Sequence, residues 1–244
     1  MQFLKSALIP VLALLLLPTV SMAFKMSPMV ITFMPSGSKA TQVLTLENSG
    51  GDKVPVQIEA FVRGVDAKGE ETRAKTSDFN IYPEQLVLLP NEKRNVRVTW
   101  AGEMKDGNEK SYRIIASQIP VEFKETNAKS KKPGVNLNFL LQYVASAYVT
   151  PDKASANVKV KEARALPGKK VQVVLVNDGS AHKVLHPKKI KFISGKSTVL
   201  EIEKPKEIEG ANLLAKTEMK FVLSVSKDLP KDIKAEIELS EIGD

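Results

Sequence analysis

The chain has 244 residues, no cysteine, two histidines and a formal net charge of +8. Without cysteine, disulfides, metal thiolates and thiol nucleophiles are excluded, and an exported product must hold together by packing alone. Aromatic residues make up only 6% of the chain and do not interleave with the basic ones, so the positive charge reads as a solvated surface rather than a nucleic-acid platform.

Residues 1–23 begin with Lys5, run through an apolar stretch from Ala7 to Val20 and end in Ser21-Met22-Ala23. That is the layout of a signal peptide cleaved before Phe24. The apolar stretch is broken by Pro10 and Pro18, and no later segment approaches the ~18 apolar residues of a membrane helix. The mature chain is therefore expected to have no stable membrane insertion. Removing 23 residues from 244 leaves 221, which suits two immunoglobulin-sized units of roughly 100 residues each.

Turn signals recur at short intervals from Pro35-Ser-Gly-Ser through Asn48-Ser-Gly-Gly-Asp and Asp106-Gly-Asn to Pro133-Gly134, and the segments between them are β-branched and alternating. This pattern predicts an all-β, antiparallel sandwich. Strands are expected at Met29 to Met34, Thr41 to Glu47, Val54 to Val65, Phe79 to Leu88, Asn95 to Trp100, Tyr112 to Phe123 and Val135 to Thr150. Within the last of these, V-N-L-N-F-L-L-Q-Y places Val135, Leu137, Phe139, Leu141 and Tyr143 on one side of a strand. The preceding stretch from Lys124 to Pro133 is polar and basic and reads as a mobile loop.

Pro151 to Ala156 reads as a linker, which divides the chain into a unit over 24–151 and a second over 152–244. Shorter strands follow at Val158 to Ala163, Val171 to Val176, Lys189 to Ile193, Thr198 to Glu203, Glu218 to Val225 and Ala235 to Glu241. Val43-Leu-Thr-Leu-Glu-Asn48 is echoed by Val173-Val-Leu-Val-Asn177, each running into a glycine-containing turn. The echo fits a duplicated sandwich, although chance similarity between two sandwiches would also produce it.

Catalytic constellations are missing. His182 and His186 are spaced for a helix face, not for the strand and turn expected there, so a metal pair is not expected. Gly195-Lys-Ser-Thr mimics the end of a phosphate loop, but Ile190 stands where that motif needs its first glycine and no helix follows, which leaves a turn. Carboxylates are scattered, and nothing isolates an acid and base pair. Neither an enzyme nor a cofactor is expected.

Several ordered pieces resemble the PapD-like periplasmic chaperones of pilus and fimbrial assembly. They are Ile31-Thr-Phe-Met-Pro35 with the strand to Asn48, Tyr82-Pro83 through Leu89-Pro90-Asn-Glu-Lys-Arg-Asn-Val-Arg97, Glu109-Lys-Ser-Tyr112 leading to Gln118-Ile119-Pro120, and Ala147-Tyr148-Val149-Thr150-Pro151. The resemblance implies two immunoglobulin-like sandwiches set at an angle in an L shape, a periplasmic location and no catalysis. It also implies donor-strand complementation, in which the chaperone lends an edge strand to an incomplete pilus subunit and then delivers it to an outer-membrane usher.

Carried over by position, the donor row is Val135, Leu137, Phe139 and Leu141. The family's two basic cleft residues fall on Ile31, or on Val30 if the alignment slips by one, and on Ser146. None of these is basic, so either another cation, Lys25 or Arg113, substitutes for them or the donor strand alone holds the client. An interdomain ion-pair set would fall on Arg97, Glu109 and Asp232, against the alternative of three unrelated surface charges. An exposed apolar strand also invites self-capping by a homodimer. The competing function is a two-domain structural or adhesive surface protein without a client.

Overall fold

A computed structural model describes residues 24–66, 69–120 and 140–240. The leader, the loop from Lys124 to Pro133 and three members of the donor row, Val135, Leu137 and Phe139, lie outside them. Ten strands form the first half: β1 (Lys25–Ser27), β2 (Val30–Phe33), β3 (Thr41–Glu47), β4 (Val54–Val65), β5 (Glu71–Lys75), β6 (Phe79–Tyr82), β7 (Gln85–Leu88), β8 (Lys93–Trp100), β9 (Lys110–Gln118) and β10 (Gln142–Val149). One sheet runs β1-β3-β8-β6. The other runs β2-β10-β9-β4-β5, with β7 also paired to β4.

Period-two burial makes these sheets a sandwich. Leu44 and Leu46 of β3 and Val96, Val98 and Trp100 of β8 face inward, against Val56, Ile58 and Ala60 of β4 and Tyr112, Ile114 and Ala116 of β9. Phe79 sits among Phe33, Trp100 and Tyr112 with ring centroids 5.0–5.4 Å apart. The buried Tyr112 hydroxyl donates to Asp78 at 2.7 Å. Burial first, then Asp78, holds that phenol well above its usual pKa.

The expected strand from Phe79 to Leu88 is in fact two strands in different sheets, β6 beside β8 and β7 beside β4. Pro83 lies between them and has no N–H to continue a ladder. The expected strand from Tyr112 stops at Gln118. β1 and β5 lack the alternation of large apolar residues that would have announced them; all five residues of β5 are exposed.

The second half contains β11 (Val158–Leu166), β12 (Lys170–Asn177), β13 (Lys183–Val184), β14 (Pro187–Ser194), β15 (Ser197–Glu203), β16 (Asn212–Leu213), β17 (Thr217–Ser224) and β18 (Lys234–Leu239). Sheets β11-β12-β17 and β15-β14-β18 enclose a separate core around Val173, Leu175, Ile190, Phe192, Phe221 and Leu223. Gly195-Lys196 is the hairpin turn between the paired Ser194 and Ser197, with Gly195 at φ +60°. That is turn geometry and not a phosphate loop.

Candidate functional site

Two features of β10 define the site. First, β2 covers one edge of β10 only from Ser146 to Val149, in parallel register Val30 to Phe33. From Gln142 to Ala145, β10 pairs with β9 on one side and, among the described residues, with no strand on the other. This leaves a short run of unpaired backbone groups next to the expected donor row. Leu140, 55% exposed, and Val30, 62% exposed, lie along the same border.

Second, the odd-numbered residues of β10 face the core. Ala145, Ala147 and Val149 are buried, and Tyr143 and Leu141 pack against the same cluster, with Tyr143 edge-on to Phe24 at 4.9 Å. Leu141, the one described member of the donor row, is therefore half-buried on the rim of its own core.

The even-numbered face of β10 meets a cluster of charge. Register aligns Val30, Ser146 and Arg113 in one row across three strands. Arg113 donates from Nη1 to Ser146 Oγ at 2.5 Å, and from Nε and Nη2 to the Glu71 carboxylate at 3.0 and 2.5 Å. Arg63 Nε and Arg73 Nε donate to the same carboxylate, each at 2.8 Å. Arg63 Nη1 reaches the Tyr148 hydroxyl at 3.2 Å.

Three guanidiniums thus share one carboxylate, and the side chains of Arg63 and Arg113 are only 12% and 15% exposed. The hydrogen bond from Arg113 is the main reason the Glu71 carboxyl is held down at about pKa 2. β5 contributes Glu71 and Arg73, β4 contributes Arg63, and the sequence reading missed all three. The period-two spacing of Glu71, Arg73 and Lys75 was the available signal.

Beside this cluster the two halves meet. The Tyr148 ring stacks on His182 with centroids 3.7 Å apart and an interplanar angle of 9°, and Asn212 Nδ2 donates to the Tyr148 hydroxyl at 2.6 Å. Glu109, with its side chain only 1% exposed, accepts from the backbone N–H of His182 at 3.0 Å and pairs with His182 Nδ1 at 2.6 Å. Its other oxygen accepts from Thr150 Oγ1 at 2.8 Å. A buried carboxylate needs this many partners to offset its desolvation. A cavity of about 510 Å³ lies farther along the boundary, lined by Val65, Asp66 and Gly69 on one side and Lys216, Glu218 and Lys220 on the other.

The remaining expected residues fall elsewhere. Ile31 is buried in the core, and the exposed residue of this pair, in register with Ser146, is Val30. Lys25 lies on β1, opposite Glu47 in the other sheet, and does not join Arg113. Glu109 does bridge the halves, but through His182 rather than Arg97 or Asp232. Arg97 is exposed on β8 between Val43 and Tyr82, and Asp232 is exposed ahead of β18. Among the described residues no group of three acidic or histidine side chains could hold a metal ion.

Residues 24–154, more than half of the chain, match the family model described as pili and flagellar-assembly chaperone, PapD N-terminal domain. No protein of curated function matches the chain by sequence. Among solved structures, the chain is similar to one in the CsuC-CsuE chaperone and tip adhesion subunit pre-assembly complex from archaic Csu pili of Acinetobacter baumannii. That match has 16% identity and TM-score 0.58 and covers 89% of this chain and 96% of the other. It is also similar to the class 5 fimbriae chaperone CfaA, with 12% identity, TM-score 0.56 and coverage of 88% and 98%. A third match is to the Salmonella enterica complex of the SafA pilin with the SafB chaperone, with 13% identity, TM-score 0.52 and coverage of 82% and 83%. At these identities the likeness is one of fold.

Proposed function

The chain belongs to the pili and flagellar-assembly chaperone family, and on that footing we propose that it works in the periplasm, binds pilus subunits by donor-strand complementation and passes them to an outer-membrane usher. The observation that carries this reading is the half-covered edge of β10, open from Gln142 to Ala145 among the described residues and preceded in sequence by the apolar row Val135, Leu137, Phe139 and Leu141. Strand addition there joins an incoming strand by main-chain hydrogen bonds, while alternate side chains of the row enter the subunit's unfilled groove. The solved structures that share the fold include chaperones captured with a tip subunit or a pilin.

Burying four such side chains is worth roughly 6–12 kcal/mol gross, against association costs of about 4–15 kcal/mol. The row therefore benefits from a second anchor. A strand added along Gln142 to Ala145 must stop where β2 begins, at the row of Val30, Ser146 and Arg113. A chain end arriving there meets guanidinium, which favours a terminal carboxylate. Arg113 thus supplies the positive charge that Val30 and Ser146 do not.

Replacing Leu137 and Phe139 together with Asp tests the assignment. The variant is expected to keep its fold and lose co-purification with a pilus subunit expressed beside it. Undiminished co-purification would reject the donor row.

A further inference from the structure

The carboxylate now seated in the arginine cluster belongs to the chain itself. Arg113 grips Glu71 through Nε and Nη2, and Arg63 adds a third N–H. This is the side-on, bidentate geometry that a guanidinium makes with any carboxylate, a chain terminus included. Glu71 sits on β5, an edge strand with every residue exposed that, among the described residues, pairs only with the end of β4. No β5 side chain belongs to the first core cluster, and sparsely packed edge strands are the segments that open most readily.

The two half-buried guanidiniums have other moorings. Arg113 also donates to Ser146 Oγ and Arg63 to the Tyr148 hydroxyl, so the cluster keeps its place if Glu71 leaves. Counting Arg73, three cations face one anion, and the surplus favours a second carboxylate arriving at the Ser146 row.

We infer that Glu71 is a built-in stand-in for the client's terminal carboxylate, closing the Arg63–Arg113 pair in the free chaperone and giving way when a client strand ends at Ser146. The inference rests on the client reading above. Exchanging one carboxylate for another keeps both guanidiniums paired at every stage and lowers the apparent affinity by the fraction of molecules in which Glu71 holds the site. A strand ending in the wrong register has no carboxylate to offer and leaves the pair closed.

The test uses the full-length mature chain and its Glu71→Gln variant. The probe is a synthetic peptide alternating valine and threonine, made once with a free C-terminal carboxylate and once as the C-terminal amide, with affinities read by fluorescence anisotropy. Glu71→Gln is expected to tighten the acid peptide by about tenfold and leave the amide unchanged. Weaker binding of the acid would show that Glu71 holds the arginines in place and would overturn the inference. An unchanged affinity, with the acid still preferred to the amide, would overturn it too while leaving the carboxylate anchor intact. Equal affinity for acid and amide in both proteins would remove the anchor as well, and no binding of either peptide would remove the client edge on which the inference rests.

A second readout needs no variant. The Arg113 Nε–H resonance of the isotope-labelled wild type should move on adding the acid peptide and stay in place with the amide. Movement with both peptides, or with neither, would count against displacement.

Discussion

The two sandwiches end β3 and β12 in the same way and then part company. Asn48 and Asn177 are both fully buried. Each accepts from the N–H of a glycine two residues on, Gly50 at 2.9 Å and Gly179 at 3.1 Å. Each also donates from Nδ2 to the carbonyl four residues on, Asp52 at 2.7 Å and Ala181 at 2.8 Å, and to a carbonyl of a strand distant in sequence, Leu88 of β7 in one half and Leu213 of β16 in the other. The faint repeat in the sequence is thus a repeated asparagine corner.

Beyond the corner the loops differ. The first stays within its own half, whereas the second folds back on Ser155 and presents Ser180 and His182 to Glu109 of the other sandwich. One local device closes a turn in the first half and builds the joint in the second.

The largest expected effect separates the two loops. A Cβ on Gly179 would lie 2.3 Å from Asn157 N and 2.4 Å from Ser155 O, both backbone atoms that cannot rotate away, whereas a Cβ on Gly51 would meet nothing within 4 Å. Gly179→Ala should cost about 4 kcal/mol or more, and Gly51→Ala should stay within about 0.5 kcal/mol of wild type. Thermal and denaturant unfolding of the two variants would decide it; equal melting points would mean that the loops are equally tolerant and the contrast is wrong.

Next in size are the corners themselves. Asn48→Ala and Asn177→Ala each strand buried carbonyl and N–H groups, at about 1–3 kcal/mol per group left unpaired, so each should destabilise by about 3 kcal/mol. Only Asn177→Ala should also speed hydrogen exchange at the Glu109 N–H, which donates to Ser180 O at 2.8 Å. Faster exchange there in Asn48→Ala would show that the two corners are coupled through the joint.

How much of this could be read from the sequence depended on where each residue's partners lie. β3 and β4 fall where alternation predicts them, because Leu44 and Leu46 in β3 and Val56, Ile58 and Ala60 in β4 are buried at every second position. β5 was missed because Glu-Thr-Arg-Ala-Lys has no large apolar residue to mark a buried face, only its alternating charges. With it went Glu71, the residue around which the cationic site is organised. Arg113 was reachable through the family resemblance, but its partners at Glu71 and Ser146 stand 42 and 33 residues away. Glu109 was named for an ion-pair set with Arg97 and Asp232, whereas its partner across the halves is His182, 73 residues on. No local pattern marks such pairs, and the resemblance pointed to Arg97 and Asp232 instead.

The joint provides a smaller contrast. His182→Ala removes the ring that stacks on Tyr148 and pairs with Glu109, while leaving Glu109 its bonds from the His182 N–H and Thr150. Its cost should be about 1–3 kcal/mol, confined to the boundary because the two cores are separate clusters. Calorimetry should resolve two transitions in the variant where the wild type shows less separation. An unchanged thermogram would show that the halves are held together by other contacts.

The smallest effect is one of pH, and it belongs to the first half alone. The Glu71 carboxyl is lowered from 4.5 to about 2 by its arginine partners, Arg113 foremost. A carboxyl depressed on folding stabilises the folded state fully above its unfolded pKa and loses that contribution as pH falls through its folded pKa. The wild type should therefore exceed Glu71→Gln in stability by a constant margin above about pH 5, and the two should converge between about pH 4.5 and 2. Denaturant midpoints for both proteins across that range would show it. A margin that stayed constant down to pH 2 would mean that Glu71 stabilises the cluster through its shape and hydrogen bonds rather than its charge, in which case an incoming carboxylate could not replace it.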